Sequence, residues 1–173
     1  MRVPINFMQW IEANRHLLKP PVGNRLIWED TEFMIMVVGG PNSRKDYHVN
    51  QGEEFFYQIE GDLNLKIIES GQAQEILIRQ GEIFLLPPVT PHSPRRKAGT
   101  IGLVIERKRR PGEQDGFQWY CEQCGHKLYE EFLALHDIVS QLPPVFERFF
   151  GDPTHTTCPA CGTIMEAPVR IPA

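Results

Sequence analysis

Two stretches of this sequence decide its fold: Asp46-Tyr-His-Val-Asn-Gln-Gly-Glu-Glu-Phe-Phe-Tyr-Gln-Ile-Glu-Gly61 and Gly81-Glu-Ile-Phe-Leu-Leu-Pro-Pro-Val-Thr-Pro-His92. A His and a Glu on neighbouring strands can point into one barrel mouth, and a later strand can add a second His. His48, Glu54 and His92 would then cover one face of an octahedron and leave up to three positions open, which suits Fe(II). The alternative is that both histidines are surface or hydrogen-bonded residues without a metal.

Short strand-like segments surround these two stretches. They are rich in β-branched and aromatic residues and separated by Gly, Pro, Asn or Asp, which favours an antiparallel sandwich or barrel. The predicted strands are Arg25–Trp28, Glu32–Val38, Glu54–Ile59, Leu63–Glu69, Gln74–Ile78, Ile83–Leu86 and Ile101–Arg107. Before them, residues 5 to about 18 form an amphipathic pattern that predicts a helix ending before Pro20-Pro21.

The bulk properties are those of a cytoplasmic globular protein. The chain has 173 residues and a net charge of −4, which gives no electrostatic reason to expect a nucleic acid partner. No stretch approaches the roughly 18 apolar residues that span a bilayer, so no membrane association is expected. The start Met1-Arg-Val-Pro-Ile-Asn6 lacks the features of a secretory signal.

All four cysteines lie in two CxxC pairs, Cys121-Glu-Gln-Cys124 and Cys158-Pro-Ala-Cys161, each followed by glycine. Two such turns can close a tetrahedral cage of four thiolates, for which zinc and iron are both suitable. A closed cage is expected to be structural. Two disulfides are the alternative, although disulfide scaffolds are usually shorter and richer in cysteine.

The cysteine pairs delimit a second part of the chain. We expect residues 1–112 to form the barrel with its N-terminal helix, and residues 113–173 to form a small metal module packed on the barrel. Between the cysteine pairs, Lys127–Leu135 could be strand or helix, whereas Ile138–Leu142 and Val145–Phe150 are predicted as helices interrupted by Pro143-Pro144.

The spacing of the first two stretches resembles the two motifs of the cupin family. His48-x5-Glu54-x6-Gly61 is similar to the first motif and Gly81-x5-Pro87-x4-His92 to the second. The resemblance implies a mainly β protein with a cupin jelly-roll barrel. Many cupins read His-x-His in the first motif, whereas the second position here is Asn50, so three metal ligands rather than four are implied.

From about Phe7 to Gly162 the chain resembles the bacterial 3-hydroxyanthranilate 3,4-dioxygenase family. The most specific segments are Leu17-Leu-Lys-Pro-Pro-Val-Gly-Asn-Arg25, Val37-Val-Gly-Gly-Pro-Asn42, Asp46-Tyr-His48, Glu53-Glu-Phe-Phe-Tyr-Gln58, Phe84-Leu-Leu-Pro-Pro88, His92-Ser-Pro94, Leu103-Val-Ile-Glu106 and the CxxC pairs. This resemblance implies an Fe(II) enzyme that uses O₂ to cleave 3-hydroxyanthranilate to 2-amino-3-carboxymuconate semialdehyde, the precursor of quinolinate. The pathway would be tryptophan breakdown through kynurenine or NAD synthesis.

The resemblance also implies roles for individual residues. His48, Glu54 and His92 match the Fe(II) ligands, and the four cysteines match a rubredoxin-like site, which favours iron there without excluding zinc. Arg44 and Arg96 match the arginines that bind the substrate carboxylate, and Glu106 matches a group that hydrogen-bonds the substrate and assists proton transfer. The matches to the pocket wall are Val22, Asn24, Phe56 and Pro94. A homodimer is expected from the family.

Two other functions remain open at this point. One is another cupin metalloenzyme, such as a dioxygenase for a different substrate or an isomerase. The other is a non-catalytic cupin that binds a small carboxylate and uses the cysteine module to contact a protein.

Overall fold

The computed structural model describes residues 2–20 and 23–168 and contains eleven strands and three α-helices within them. The strands are β1 Asn24–Leu26, β2 Phe33–Gly39, β3 Tyr47–Val49, β4 Glu54–Glu60, β5 Leu63–Glu69, β6 Gln72–Ile78, β7 Ile83–Leu86, β8 His92–Arg96, β9 Ile101–Arg107, β10 Asp115–Tyr120 and β11 Lys127–Leu133. The helices are α1 Phe7–Asn14, α2 Ile138–Phe150 and α3 Pro153–Thr156. The mainly β prediction is confirmed.

The strands form two antiparallel sheets. One has five strands in the order β1-β2-β9-β4-β7, and the other has six in the order β11-β10-β3-β8-β5-β6. Alternate residues of β5 are buried, as expected where one face of a strand covers a core. The core between the sheets takes apolar side chains from both of them. Its buried members are Phe56, Leu63, Leu65, Ile67, Ile78, Leu86 and Val104. This arrangement agrees with the predicted jelly roll.

The N-terminal helix is confirmed but is shorter than the apolar pattern suggested. Asn6 caps it, since its side chain accepts a hydrogen bond from the backbone N–H of Gln9 at 3.0 Å. The chain continues from α1 into a short 3₁₀ turn over Arg15–Leu17. Ile11 and Leu18 are buried against Val37, so this segment covers the outer side of the five-stranded sheet with an apolar cluster of its own.

The C-terminal part has a separate aromatic core. Trp119 of β10 is fully buried and stacks on Phe149 of α2, with ring centroids 4.4 Å apart. The interruption predicted at Pro143-Pro144 was wrong, because α2 continues through both prolines. Each proline removes a helical hydrogen bond, at a cost of about 3 kcal/mol, so the packing of the apolar face of α2 must offset that loss.

Strand β10 joins the two predicted parts of the chain. It pairs with β11 on one side and with β3 on the other, so the six-stranded sheet is continuous across the division expected after residue 112. Segment Lys127–Leu135, left open between strand and helix, contains β11. Strands β3 and β8, which carry His48 and His92, were expected without bounds, whereas β10 was not predicted.

None of the helices in the described ranges is long and apolar enough to cross a membrane.

Candidate active site

The structure brings together the three residues that the spacing predicted as metal ligands. His48 of β3 and His92 of β8 are directly paired on neighbouring strands of the six-stranded sheet. Glu54 is the first residue of β4 in the other sheet. One ligand atom from each lies within 4.8 Å of the others, and Nε2 of His92 is 3.0 Å from Oε2 of Glu54. Donors at right angles around a metal, with bonds of about 2.1 Å, are about 3 Å apart. The donor set and its spacing therefore fit a metal ion.

Groups behind the two imidazoles fix their orientation. Nδ1 of His92 lies 3.0 Å from the carbonyl oxygen of Thr90, which leaves Nε2 directed at Glu54. Nε2 of His48 lies 2.6 Å from Oδ2 of Asp115, and the His48 ring stacks on Phe117 with centroids 5.4 Å apart. A carbonyl or carboxylate on the outer side of a histidine ligand is a common way to set its tautomer and direction.

A buried carboxylate, Glu106, lies beside the ligand cluster. Its Oε2 accepts hydrogen bonds from Nη1 of Arg109 at 2.6 Å and from Nδ2 of Asn50 at 3.1 Å. The same Asn50 amide donates to Oε2 of Glu54 at 3.3 Å. Burial and the nearby charge of Glu54 raise the pKa of Glu106 to about 7, against the opposing effect of Arg109. A carboxyl group with this pKa can hold or release a proton near neutrality.

Arg109 connects Glu106 to Asp115, the carboxylate that contacts His48. It also donates from Nε to Oδ1 of Asp115 at 2.7 Å and from Nη2 to Oδ2. Burial alone would raise the pKa of Asp115, but the hydrogen bonds from Arg109 and His48 lower it to about 2. Asp115 is therefore ionised, and this buried network runs without a break from a ligand to the carboxylate expected to face the substrate.

Arg96 is a buried cation of a different kind. It is 3% exposed, and burial lowers its pKa to about 10. Nη1 donates to Oε1 of Gln58 at 3.2 Å, whereas Nε is buried without a hydrogen-bond partner. The neighbouring Arg95 lies on the same strand but is only partly buried, as expected when successive side chains point to opposite faces.

The four cysteines lie together in the C-terminal part. Their Sγ atoms are all within 4.8 Å, with Cys121 and Cys161 3.6 Å apart and Cys124 and Cys158 3.5 Å apart. A tetrahedron of sulfurs with metal bonds of about 2.3 Å has edges of about 3.8 Å, so the cluster fits a metal. All four thiols are free, and their separations far exceed the roughly 2.05 Å of a disulfide.

The backbone around the two CxxC pairs is nearly identical. The N–H of Gly125 donates to the carbonyl oxygen of Cys121 at 2.9 Å, and that of Gly162 donates to Cys158 at 2.8 Å. Both glycines have φ of 74°, a conformation that residues with a side chain rarely adopt. The glycine after each pair thus has the turning role that the sequence suggested.

The model of the family described as 3-hydroxyanthranilic acid dioxygenase matches residues 1–150. The chain belongs to that family. A protein of Xanthomonas euvesicatoria pv. vesicatoria named 3-hydroxyanthranilate 3,4-dioxygenase is 58% identical over 167 residues, which cover 96% of this chain and 94% of the relative. Proteins with the same name from Ruegeria pomeroyi and Shewanella woodyi are each 52% identical over 160 residues, which cover 92% of this chain and 89% and 85% of those relatives.

The other residues matched to this dioxygenase family are spread over the barrel. Phe56 is buried in the core, with its ring 6.3 Å from that of His92. Pro94 follows on the same strand as His92, and its carbonyl oxygen accepts a hydrogen bond from Nδ2 of Asn42 at 2.8 Å. Asn24 begins β1 opposite Val38. Val22 lies outside the described residues. The roles of these positions in the dioxygenase stay predictions.

Arg44, the second arginine matched to the dioxygenases, is placed differently from Arg96. Its side chain is 43% exposed and forms an ion pair with buried Asp46. Its guanidinium carbon lies 5.9 Å from the centroid of the Phe146 ring, on α2. The structure therefore brings Arg96 into the buried part of the barrel and leaves Arg44 at the surface beside the C-terminal helix.

Three residues around the candidate ligands had no assigned role in the sequence-based prediction: Gln58, Arg109 and Asp115. Gln58 lies four residues after Glu54 on β4, on the same face of the strand. The alternation of the strand could therefore have predicted that this polar side chain is buried. Asp115 could have been suspected as a charged residue at the start of an apolar stretch, Asp115-Gly-Phe-Gln-Trp-Tyr120. Nothing in the sequence around Arg109 distinguishes it from its neighbours Arg107 and Arg110.

Proposed function

We propose that this chain is an Fe(II)-dependent dioxygenase that cleaves the ring of 3-hydroxyanthranilate with O₂. Both oxygen atoms enter the product, 2-amino-3-carboxymuconate semialdehyde. The observation that supports this most strongly is the two-histidine, one-carboxylate cluster of His48, Glu54 and His92 in a member of this family. Such a set leaves coordination positions open, as an enzyme that binds both substrate and O₂ requires.

His48, Glu54 and His92 would hold the iron, and Asp115 and the Thr90 carbonyl would keep the two imidazoles aligned. Fe(II), when bound, supplies open positions for the substrate and O₂ and the electron transfer between them. The protein contributes position: it holds the planar substrate in one orientation and keeps its reacting carbon next to the oxygen site.

Arg96 would bind the substrate carboxylate. Its guanidinium is buried and has a free donor, so a carboxylate from outside can satisfy both its charge and its hydrogen bonds. Arg44 would add a second contact from the surface side, next to α2. Glu106, with a pKa of about 7, would accept a proton from a polar group of the bound ring and return it later in the reaction.

The four-cysteine cage would hold one iron or zinc ion with a structural role. Its four thiolates leave no position for a substrate. The homodimer and the cytoplasmic compartment remain predictions from the sequence, and light scattering would test the first of them.

The experiment is oxygen uptake. Protein loaded anaerobically with Fe(II) should consume one O₂ for each 3-hydroxyanthranilate added, with the absorbance of the open-chain product rising in step. Metal-free protein is the control. Binding of 3-hydroxyanthranilate without O₂ uptake would favour the carboxylate-binding cupin, and absence of both would point to another cupin enzyme.

A further inference from the structure

We propose that Gln58 and Gly102 position the guanidinium of Arg96, and that this device sets the preference for a ring that carries a carboxylate. The inference rests on the proposed function, because it concerns the same pocket. Neither residue was assigned a role by the motifs or by the residues matched to the family.

Arg96 differs from the other two arginines near the site in having no ion-pair partner among the residues that the structure describes. Arg109 pairs with two carboxylates and Arg44 with one, whereas Arg96 forms no ion pair within residues 2–20 and 23–168. Burying a cation without a charged partner is costly, and an anionic ligand would supply the missing charge. Its position therefore has to be set by something other than an acidic side chain.

Gln58 supplies that control. It is 1% exposed and is the one hydrogen-bond acceptor for the Arg96 guanidinium among the residues described. Its Nε2 donates to the backbone carbonyl of Glu60 at 3.0 Å. Because the amide nitrogen is committed to that carbonyl, Oε1 must face Arg96. The guanidinium is thus held by a neutral group that does not compete with the substrate for its charge.

Gly102 provides the space. It lies directly opposite Gln58 in the pairing of β4 with β9. A Cβ at this position would lie 2.8 Å from Nη1 of Arg96 and 2.8 Å from Oε1 of Gln58, closer than real Cβ contacts come. The atoms that would have to move are the tips of two side chains rather than backbone. Alanine at this position should therefore leave the fold intact and displace the guanidinium.

The test compares two ligands that differ only in the carboxylate: 3-hydroxyanthranilate and 2-aminophenol. Their dissociation constants are measured by calorimetry on iron-loaded protein without O₂. Gln58→Leu and Gly102→Ala should each weaken 3-hydroxyanthranilate binding by about tenfold or more and change 2-aminophenol binding by less than about twofold. Gln118→Leu is the matched control, since it also removes a buried glutamine, one that binds Glu130 on β11, and it should change neither constant.

Equal weakening of both ligands, or no change in either, would overturn the inference. Gly102→Ala covers the case in which Gln58→Leu folds poorly, because it removes no hydrogen-bonding group. Arg96→Ala separates this inference from the proposed function. If wild type cleaves 3-hydroxyanthranilate and Arg96→Ala selectively loses its binding, while Gln58→Leu and Gly102→Ala do not, the function stands and only the positioning role fails.

Discussion

Replacing Arg109 with methionine should destabilise the protein strongly. Arg109 is the main counter-ion of Asp115, which is fully buried, and its own side chain is only 16% exposed. Removing one partner of a buried ion pair typically costs about 3–5 kcal/mol, because it leaves an uncompensated charge. Asp115 keeps its contact with His48, so we expect the lower end of that range, about 3 kcal/mol.

The assay is urea unfolding at neutral pH, followed by tryptophan fluorescence, to which Trp119 in its buried stack contributes together with Trp10 and Trp28. Wild type and variant must carry the same metal. Arg107→Met is the matched control: Arg107 is two residues away and pairs with Glu113 at 2.6 Å, but nearer to solvent. An ion pair nearer to solvent contributes less, so this control should lose less stability than Arg109→Met.

The pH dependence of the same experiment follows from the pKa of Asp115. That pKa is about 2 in the folded protein, whereas an unfolded aspartate titrates at about 3.9. The ion pair therefore stabilises the protein above pH 4, and this contribution is lost as the pH falls toward 2. The difference in unfolding free energy between wild type and Arg109→Met should therefore decrease below about pH 4. A loss under about 1 kcal/mol at neutral pH would show that Asp115 is screened by solvent and would refute the reasoning.

Three further predictions concern the two metal sites and the carboxylate pocket. His48→Ala or Glu54→Ala should abolish ring cleavage and lower the iron content by about one atom per chain, because two ligands bind Fe(II) poorly; metal analysis should still find the ion of the cysteine cage. Arg96→Ala should weaken substrate binding by about 2–5 kcal/mol and Arg95→Ala by much less, and calorimetry showing the reverse order would mean that the assignment after His92 is shifted by one residue. Cys121→Ser or Cys161→Ser should lower the thermal midpoint, whereas the folded fraction reloaded with Fe(II) should still turn over; complete inactivity of that fraction would give the cage a catalytic part.

The features that sequence could predict are those fixed by local spacing. His48 and Glu54 are six residues apart on consecutive strands, and the CxxC turns need only their own hydrogen bonds and a glycine with positive φ. Gly61, at the end of the first motif, and Gly81, at the start of the second, also have positive φ, of 61° and 86°. In each case the chemistry of a few neighbouring residues determines the local backbone, so the pattern could be interpreted without the rest of the chain.

The features that sequence could not predict depend on distant packing. In β10 the first five residues are all buried, so the alternation that marks a half-buried strand is absent. Its contact with His48 joins residues far apart in the chain, and no local signal links Asp115 or Arg109 to the metal ligands. The two prolines of α2 predicted an interruption of the helix. The packing of Phe149 against Trp119 stabilises the continuous helix instead.

The place of β10 between β11 and β3 limits where this chain could be shortened. A chain ending at residue 112 would keep His48, Glu54 and His92. However, β3 would lose β10 as its neighbour and become an unprotected edge strand. That edge would pair with β8 through one residue pair, His48 with His92, and would expose unpaired backbone groups to other copies. Such a fragment should aggregate rather than act as a minimal enzyme. A truncation or a fusion junction is therefore better placed after the second cysteine pair than between residue 112 and the first pair.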